Sequence, residues 1–191
     1  MIRFIAFFLF FVLSSPQAYA GETFHPSRVR LLIHGGYNVG ETTRVQFHFI
    51  PAGNLLGELA PLGYLGLSVK PAPWLGVEPV VGWAWGPDEP IASIRLAPDF
   101  GPVYGWFDGE IRFPSYGGYW FGQMEYRVSK WLHTGIEGEG WGDFDDGGWS
   151  QGGGVNVLGR FEKTGLDLAI HVRDIDSKVK PEFVLRFHLF L

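Results

Sequence analysis

The chain has 191 residues, a formal net charge of −5 and no cysteine. Without cysteine it has no disulfide framework, no thiolate nucleophile and no cysteine-ligated metal. The acidic balance argues against nucleic acid as a partner. With 28 Gly, 17 Phe, 8 Trp and 7 Tyr, large rings and missing side chains alternate along the chain, a composition suited to strands.

The first segment has the three parts of an export signal. Arg3 precedes an apolar run over 4–13, and Ala18-Tyr19-Ala20 supplies a small-x-small cleavage site. The expected organisation is a signal peptide, 1–20, and one mature domain, 21–191. Cleavage removes Arg3 and makes the remainder one unit more acidic. Past this point no apolar run is long enough for a transmembrane helix. If the mature chain spans a membrane, it must do so as a closed barrel, because backbone N–H groups have no other partner in lipid.

In chain order, strands are predicted over 28–37, 42–50, 62–70, 74–85, 91–97, 102–113, 116–128, 131–141, 149–161, 166–173 and 182–191. Turn signals separate them: Pro71-Ala72-Pro73, Gly86-Pro87-Asp88, Pro98-Asp99-Phe100-Gly101, Pro114-Ser115, Ser129-Lys130, Asp145-Asp146-Gly147-Gly148 and Lys163-Thr164-Gly165. Single-chain bacterial barrels have an even strand number. Eleven candidates therefore predict eight to twelve strands, with ten the central expectation, and either one candidate lost or one strand gained near 55–59.

Period-two alternation assigns faces. Arg44 and His48 alternate with Val45, Phe47 and Phe49. Glu78 and Arg95 fall on the polar parity of the next two hairpin strands. Asp108, Glu110 and Arg112 share one face. Glu125 and Arg127 oppose Trp120, Met124 and Tyr126. His133, Glu137 and Glu139 oppose Leu132, Thr134 and Ile136. Arg160 follows, then His171 and Arg173 opposite Leu168, Ile170 and Val172. In the last strand Arg186 and His188 lie between Phe183, Leu185, Phe187, Leu189 and Leu191. The polar faces hold Arg, Glu, Asp and His and few lysines, types that pair in a lumen. Trp and Tyr gather near strand ends, as interface girdles do. The expected fold is all-β: an antiparallel transmembrane up-and-down β-barrel with these residues as a lumen charge network. A soluble lipocalin-like barrel is the alternative.

His48, His133, His171 and His188 share the lumen parity. Such a set could hold a transition metal or gate with pH, and it fits hydrogen bonding among lumen carboxylates better. Glu137 and Glu139 are expected to pair with lumen arginines such as Arg127 or Arg160. No metal and no cofactor is expected.

An internal echo links Lys70-Pro71-Ala72-Pro73-Trp74-Leu75-Gly76-Val77-Glu78 to Ser129-Lys130-Trp131-Leu132-His133-Thr134-Gly135-Ile136-Glu137. Both turns are expected on one side of the barrel, with the 142–148 loop on the other. The hairpin from Val69 to Glu78 with Gly82-Trp83 resembles periplasmic hairpins of small monomeric outer-membrane barrels of the outer-membrane protein A type. Ser129-Lys130-Trp131, then Gly154-Val155-Asn156-Val157-Leu158-Gly159, then Leu168-Ala169-Ile170-His171 and the terminal strand are similar to the lipid A 3-O-deacylase family. That resemblance implies an outer-membrane esterase with a Ser–His–Glu set. The histidine would fall on His171 and the glutamate near Glu182. The serine position holds Arg173, and Ser177 is misplaced for the motif.

These readings predict a non-enzymatic integral outer-membrane barrel with a charged, plugged lumen and a structural or interaction role. A narrow channel for small solutes is one alternative. A deacylase-like esterase, or a catalytically dead relative, is the other. The expected partners are outer-membrane lipid, periplasmic chaperones and the barrel-assembly machinery, with the chain a monomer. The terminal strand ends on Leu191, while its nearest aromatic, Phe190, lies one position early and on the opposite face.

Overall fold

The computed structural model describes residues 28–51, 60–144, 148–175 and 178–191. The expected signal peptide, the candidate strand near 55–59, Asp145, Asp146 and Ser177 lie outside the described residues. Eleven strands close into a barrel. They are β1 Arg28–Asn38, β2 Thr43–Ile50, β3 Leu62–Ala72, β4 Leu75–Ala84, β5 Glu89–Pro98, β6 Val103–Arg112, β7 Gly117–Arg127, β8 Leu132–Asp143, β9 Trp149–Phe161, β10 Thr164–Ile175 and β11 Lys178–Phe190. Each predicted strand corresponds to one of these. No helix among the described residues is long and apolar enough to cross a membrane.

The count is eleven, inside the expected range and one above its centre. All sequential neighbours pair antiparallel, so β1 and β11 run in the same direction. An odd meander can close only through one parallel ladder. Here that ladder joins Arg28↔Val184 through His34↔Phe190. The even-number rule fails because it presumes first and last strands of opposite direction.

The meander places the turns after β1, β3, β5, β7 and β9 at the end where Leu191 finishes. We call this the C-terminal rim and the end where Arg28 starts the N-terminal rim. The two echoed Trp-Leu turns, at 73–74 and 128–131, both lie at the C-terminal rim, and the connection after β8 lies at the other. At the C-terminal rim Trp74 stacks on Phe100 with centroids 5.5 Å apart, and Trp131 is exposed. At the N-terminal rim Phe49 meets Trp85, Phe113 meets Tyr116 and Phe144 meets Trp149.

Polarity runs inside out. Phe47, Leu65, Ile94, Phe107, Val157, Leu168 and Ile170 are exposed on the outer wall, and Val81 and Ile136 are 65% and 64% accessible. Glu139 and His171 are 0% accessible, Arg173 1%, and Glu182 and Arg186 are buried beside them. The buried apolar core is small: Tyr64, Val80, Ala84 and Ile91, with Ile50 and Leu62 packed on it. It sits inside the barrel on β2–β5, toward the N-terminal rim.

The parallel seam is directly testable, because the chain has no native cysteine. Leu31 and Phe187 are ladder partners, within the Cα separation of about 4.4–6.8 Å that a disulfide bridges. Leu31→Cys with Phe187→Cys should crosslink intramolecularly on oxidation. Leu31→Cys with Phe183→Cys should not. The reverse pattern would mean a different register between β1 and β11, and no crosslink in either pair would mean that another strand neighbours β1.

Candidate functional site

One half of the lumen is filled by a single network whose geometry depends on β9. The register sets Glu137 beside Gly154 and Glu139 beside Gly152. It then sets His171 beside Gly154 and Arg173 beside Gly152. With no side chains on those two β9 positions, groups on β8 and β10 meet directly across the intervening strand. His171 Nε2 and Glu137 Oε1 are 2.6 Å apart. Arg173 Nη2 donates to Glu139 at 2.8 Å and its Nε to Glu182 at 2.7 Å. A side-chain carbon at Gly152 would stand 3.0 Å from the Arg173 guanidinium carbon, and one at Gly154 would overlap the Ile170 carbonyl oxygen.

Arg28 completes the cluster from β1. Its guanidinium donates to both Glu182 and Glu139, and Arg30 adds a contact to Glu139 at 3.2 Å. Trp141 covers the group on the N-terminal side, with the Arg173 and Arg28 guanidiniums 4.0 Å and 5.0 Å from its ring centroid. Deeper in the barrel, Arg186 bridges Glu137 and Asp167, each at 2.9 Å from Nη1. Asn156 links Asp167 to Glu125, and Glu125 also accepts from Tyr104 and Gln123. His133 Nδ1 lies 2.5 Å from the Tyr104 hydroxyl.

Glu139, His171 and Glu182 each offer one ligand atom within 4.8 Å of the others. The two carboxylates already carry guanidiniums from Arg28 and Arg173. A metal cation there would face two fixed positive charges, so the cluster reads as an ion-pair core. Glu137 and Glu139 thus take Arg186, Arg28 and Arg173 as partners instead of Arg127 or Arg160.

The opposite wall carries a smaller network. Arg95 donates to Asp108 at 2.8 Å and reaches Glu78 at 3.5 Å, and it lies 4.6 Å from the Tyr64 ring centroid. Ser93 also donates to Asp108. Between the two networks runs a cavity of about 940 Å³. Arg112, Glu110, Leu62 and Ile50 line it toward the N-terminal rim, and Arg44, Gln46, Leu158 and Arg160 toward the other. Eleven strands lie between the roughly eight whose side chains fill a barrel and the sixteen or more that leave a channel.

A file of histidines borders this cavity. His48 Nε2 lies 2.9 Å from Glu78, His48 Nδ1 2.8 Å from His34 Nδ1, and His34 Nε2 3.1 Å from His188 Nδ1. Phe190 turns inward and stacks on His34 at 5.3 Å. His34 was not singled out from the sequence, because it sits between Leu31-Leu32-Ile33 and Gly35-Gly36. Its parity with Arg28 and Arg30 was the available signal. Arg127 sits at the C-terminal mouth, pairing with Asp99 at 2.8 Å and covering the Tyr104 ring. That guanidinium holds the Asp99 carboxyl below its ordinary range.

No family model, curated protein or solved structure matches the chain. The closed barrel stands on the structure alone. The residues a deacylase would use are not arranged for acyl transfer. His171 and Glu182 face inward, His171 Nε2 is taken by Glu137, and Arg173 fills the serine position. A serine esterase needs its nucleophile against the histidine.

Arg173→Ala would leave Glu139 and Glu182 underpaired in the interior. It should lower unfolding free energy by about 3–5 kcal/mol, read by tryptophan fluorescence in urea. Asp99→Asn, at an exposed pair, should cost less than about 1 kcal/mol. Equal losses for the two would contradict the assignment of stability to the interior network.

Proposed function

We propose that the mature chain is an integral outer-membrane barrel, delivered by the N-terminal signal and inserted as a monomer through periplasmic chaperones and the barrel-assembly machinery. The observation that carries this reading is the inside-out polarity. Large apolar side chains cover the outer wall while fully buried charges fill the interior. A soluble barrel would expose hundreds of square ångströms of contiguous apolar surface in this arrangement. In lipid the same surface is matched, and aromatic side chains at both rims fit the two interfaces. The role is non-enzymatic: a rigid wall whose lumen is filled on the β8–β11 side.

The cavity favours a second reading, a narrow path for small solutes. Its lining reaches residues near both rims, and its charged walls would select among polar solutes.

The purified mature chain should require detergent, be β-rich, and migrate differently on gels before and after boiling. Leu168→Arg, on the outer wall at mid-strand, should cost about 2–4 kcal/mol of insertion and abolish the folded gel band in lipid vesicles. A chain that stays monomeric without detergent would overturn the membrane reading. Steady single-channel conductance in a planar bilayer would select the solute path over the filled barrel.

A further inference from the structure

We propose that the C-terminal mouth of the lumen cavity is a binding site for a small organic carboxylate, taken up together with one proton by the histidine file. Donor and acceptor accounting fixes the starting state. The Glu78 carboxylate only accepts, so His48 Nε2 carries hydrogen and donates to it. In a neutral ring His48 Nδ1 then accepts, so His34 Nδ1 donates. By the same step His34 Nε2 accepts, and His188 Nδ1 donates. The file is polarised from end to end, and it leaves His188 Nε2 as a bare acceptor on a ring that lines the cavity.

The surroundings of that nitrogen are cationic and apolar. Arg160 lies at this mouth with its guanidinium 4.9 Å from the Phe190 ring centroid, is exposed, and has no carboxylate partner among the described residues. Arg44 lines the same mouth and, among the described residues, donates only to the Gly36 carbonyl. Leu32, Leu158, Trp106 and Phe190 supply apolar wall. The space matches the few hundred to about 1,000 Å³ typical of small-molecule sites.

Other charges near His188 are already engaged. From its own strand comes Arg186, which holds Asp167 of β10 and Glu137 of β8. From β1 come Arg30, which contacts Glu139, and His34; from β9 comes Arg160. Glu125 is occupied by Tyr104, Gln123 and Asn156. Glu125 keeps its charge, held by neutral donors, while at the rim itself the Arg160 and Arg44 guanidiniums have no carboxylate partner among the described residues and present positive charge to the cavity. An approaching carboxylate can accept from Arg160, but it meets the lone pair of His188 Nε2. Protonating that nitrogen turns the repulsion into a second, charge-assisted hydrogen bond. The incoming proton can rest on His188 or shift along the file toward Glu78, each imidazole passing on the hydrogen it holds. Anion and proton thus bind with mutual coupling, and affinity rises as pH falls toward the histidine range.

Isothermal titration of the full mature chain, folded in detergent, with sodium benzoate tests this, with neutral benzyl alcohol as control. Two buffers of different ionisation enthalpy count the protons. The expected result is one-to-one benzoate binding that tightens by up to about tenfold per pH unit between about 7.5 and 6, with uptake approaching one proton. Benzyl alcohol should bind more weakly and without proton uptake. Arg160→Gln, at an exposed position, should weaken benzoate about tenfold. His188→Gln should remove the proton uptake. Benzoate binding no tighter than benzyl alcohol, or binding without proton uptake by the unaltered chain, would overturn the proposal. The unaltered chain decides even if the His188 variant does not fold. A null result leaves the detergent requirement intact, so failure here is distinguishable from failure of the membrane reading.

Discussion

The barrel depends on how it closes, and closure depends on the Arg28 guanidinium. Parallel ladders are slightly weaker per residue than antiparallel ones, and this one, of seven pairs, is the one that closes the barrel. Arg28 stands at its start, on β1, and holds Glu182 on β11 and Glu139 on β8. One side chain therefore fastens the seam strand to its neighbour and to a strand four ladders away around the wall. Arg173 holds the same two carboxylates from β10. The four groups form a ring in which each cation bridges both anions. Slipping β1 by one residue would turn Arg28 to the outer wall and break the ring, so the ion pairs fix register as well as contact.

That ring is also why the lumen is lopsided. Gly152 and Gly154 let β8 and β10 touch across β9, which draws the polar side chains of β8–β11 together. Between β2 and β6 much of the lumen is apolar, with Tyr64, Val80, Ala84 and Ile91 packed together, and Arg95 is committed to Asp108 and Glu78. Eleven strands enclose more space than one such network fills. The remainder is the cavity, and the histidine file lines its edge because His48, His34 and His188 lie on three consecutive strands around the seam.

The period-two signal was strong enough to locate all eleven strands, because each carries large apolar groups on one parity and charges on the other. Closure itself was expected, but the parallel ladder that achieves it was not legible. Strand direction at the seam depends on the total count, and no local pattern marks a parallel ladder of this length. The lumen partners were hidden for a similar reason. Arg28 and Glu139 are 111 residues apart, and their meeting depends on barrel closure. Phe190 looked misplaced on the inner parity. Its stacking on His34 and His188 gives it a place that lipid matching would not predict. Gly152 and Gly154 form the gap through which the network passes, a role that only the register reveals.

The near absence of lysine from the lumen now has a structural cause. Arg28 and Arg173 each bridge Glu139 and Glu182, Arg186 bridges Glu137 and Asp167, and Arg95 bridges Glu78 and Asp108. Every one of these four cations spans two carboxylates on different strands. A guanidinium does this with a flat fork of donors on several nitrogens, whereas an ammonium concentrates its charge at one atom and is harder to strip of water. Replacing any of them by lysine would keep the net charge and lose the bridge. One carboxylate would then be left underpaired among groups already removed from solvent, the costly outcome in a low-dielectric interior. The arginine preference is therefore a geometric demand of a wall in which each buried arginine holds two strands at once.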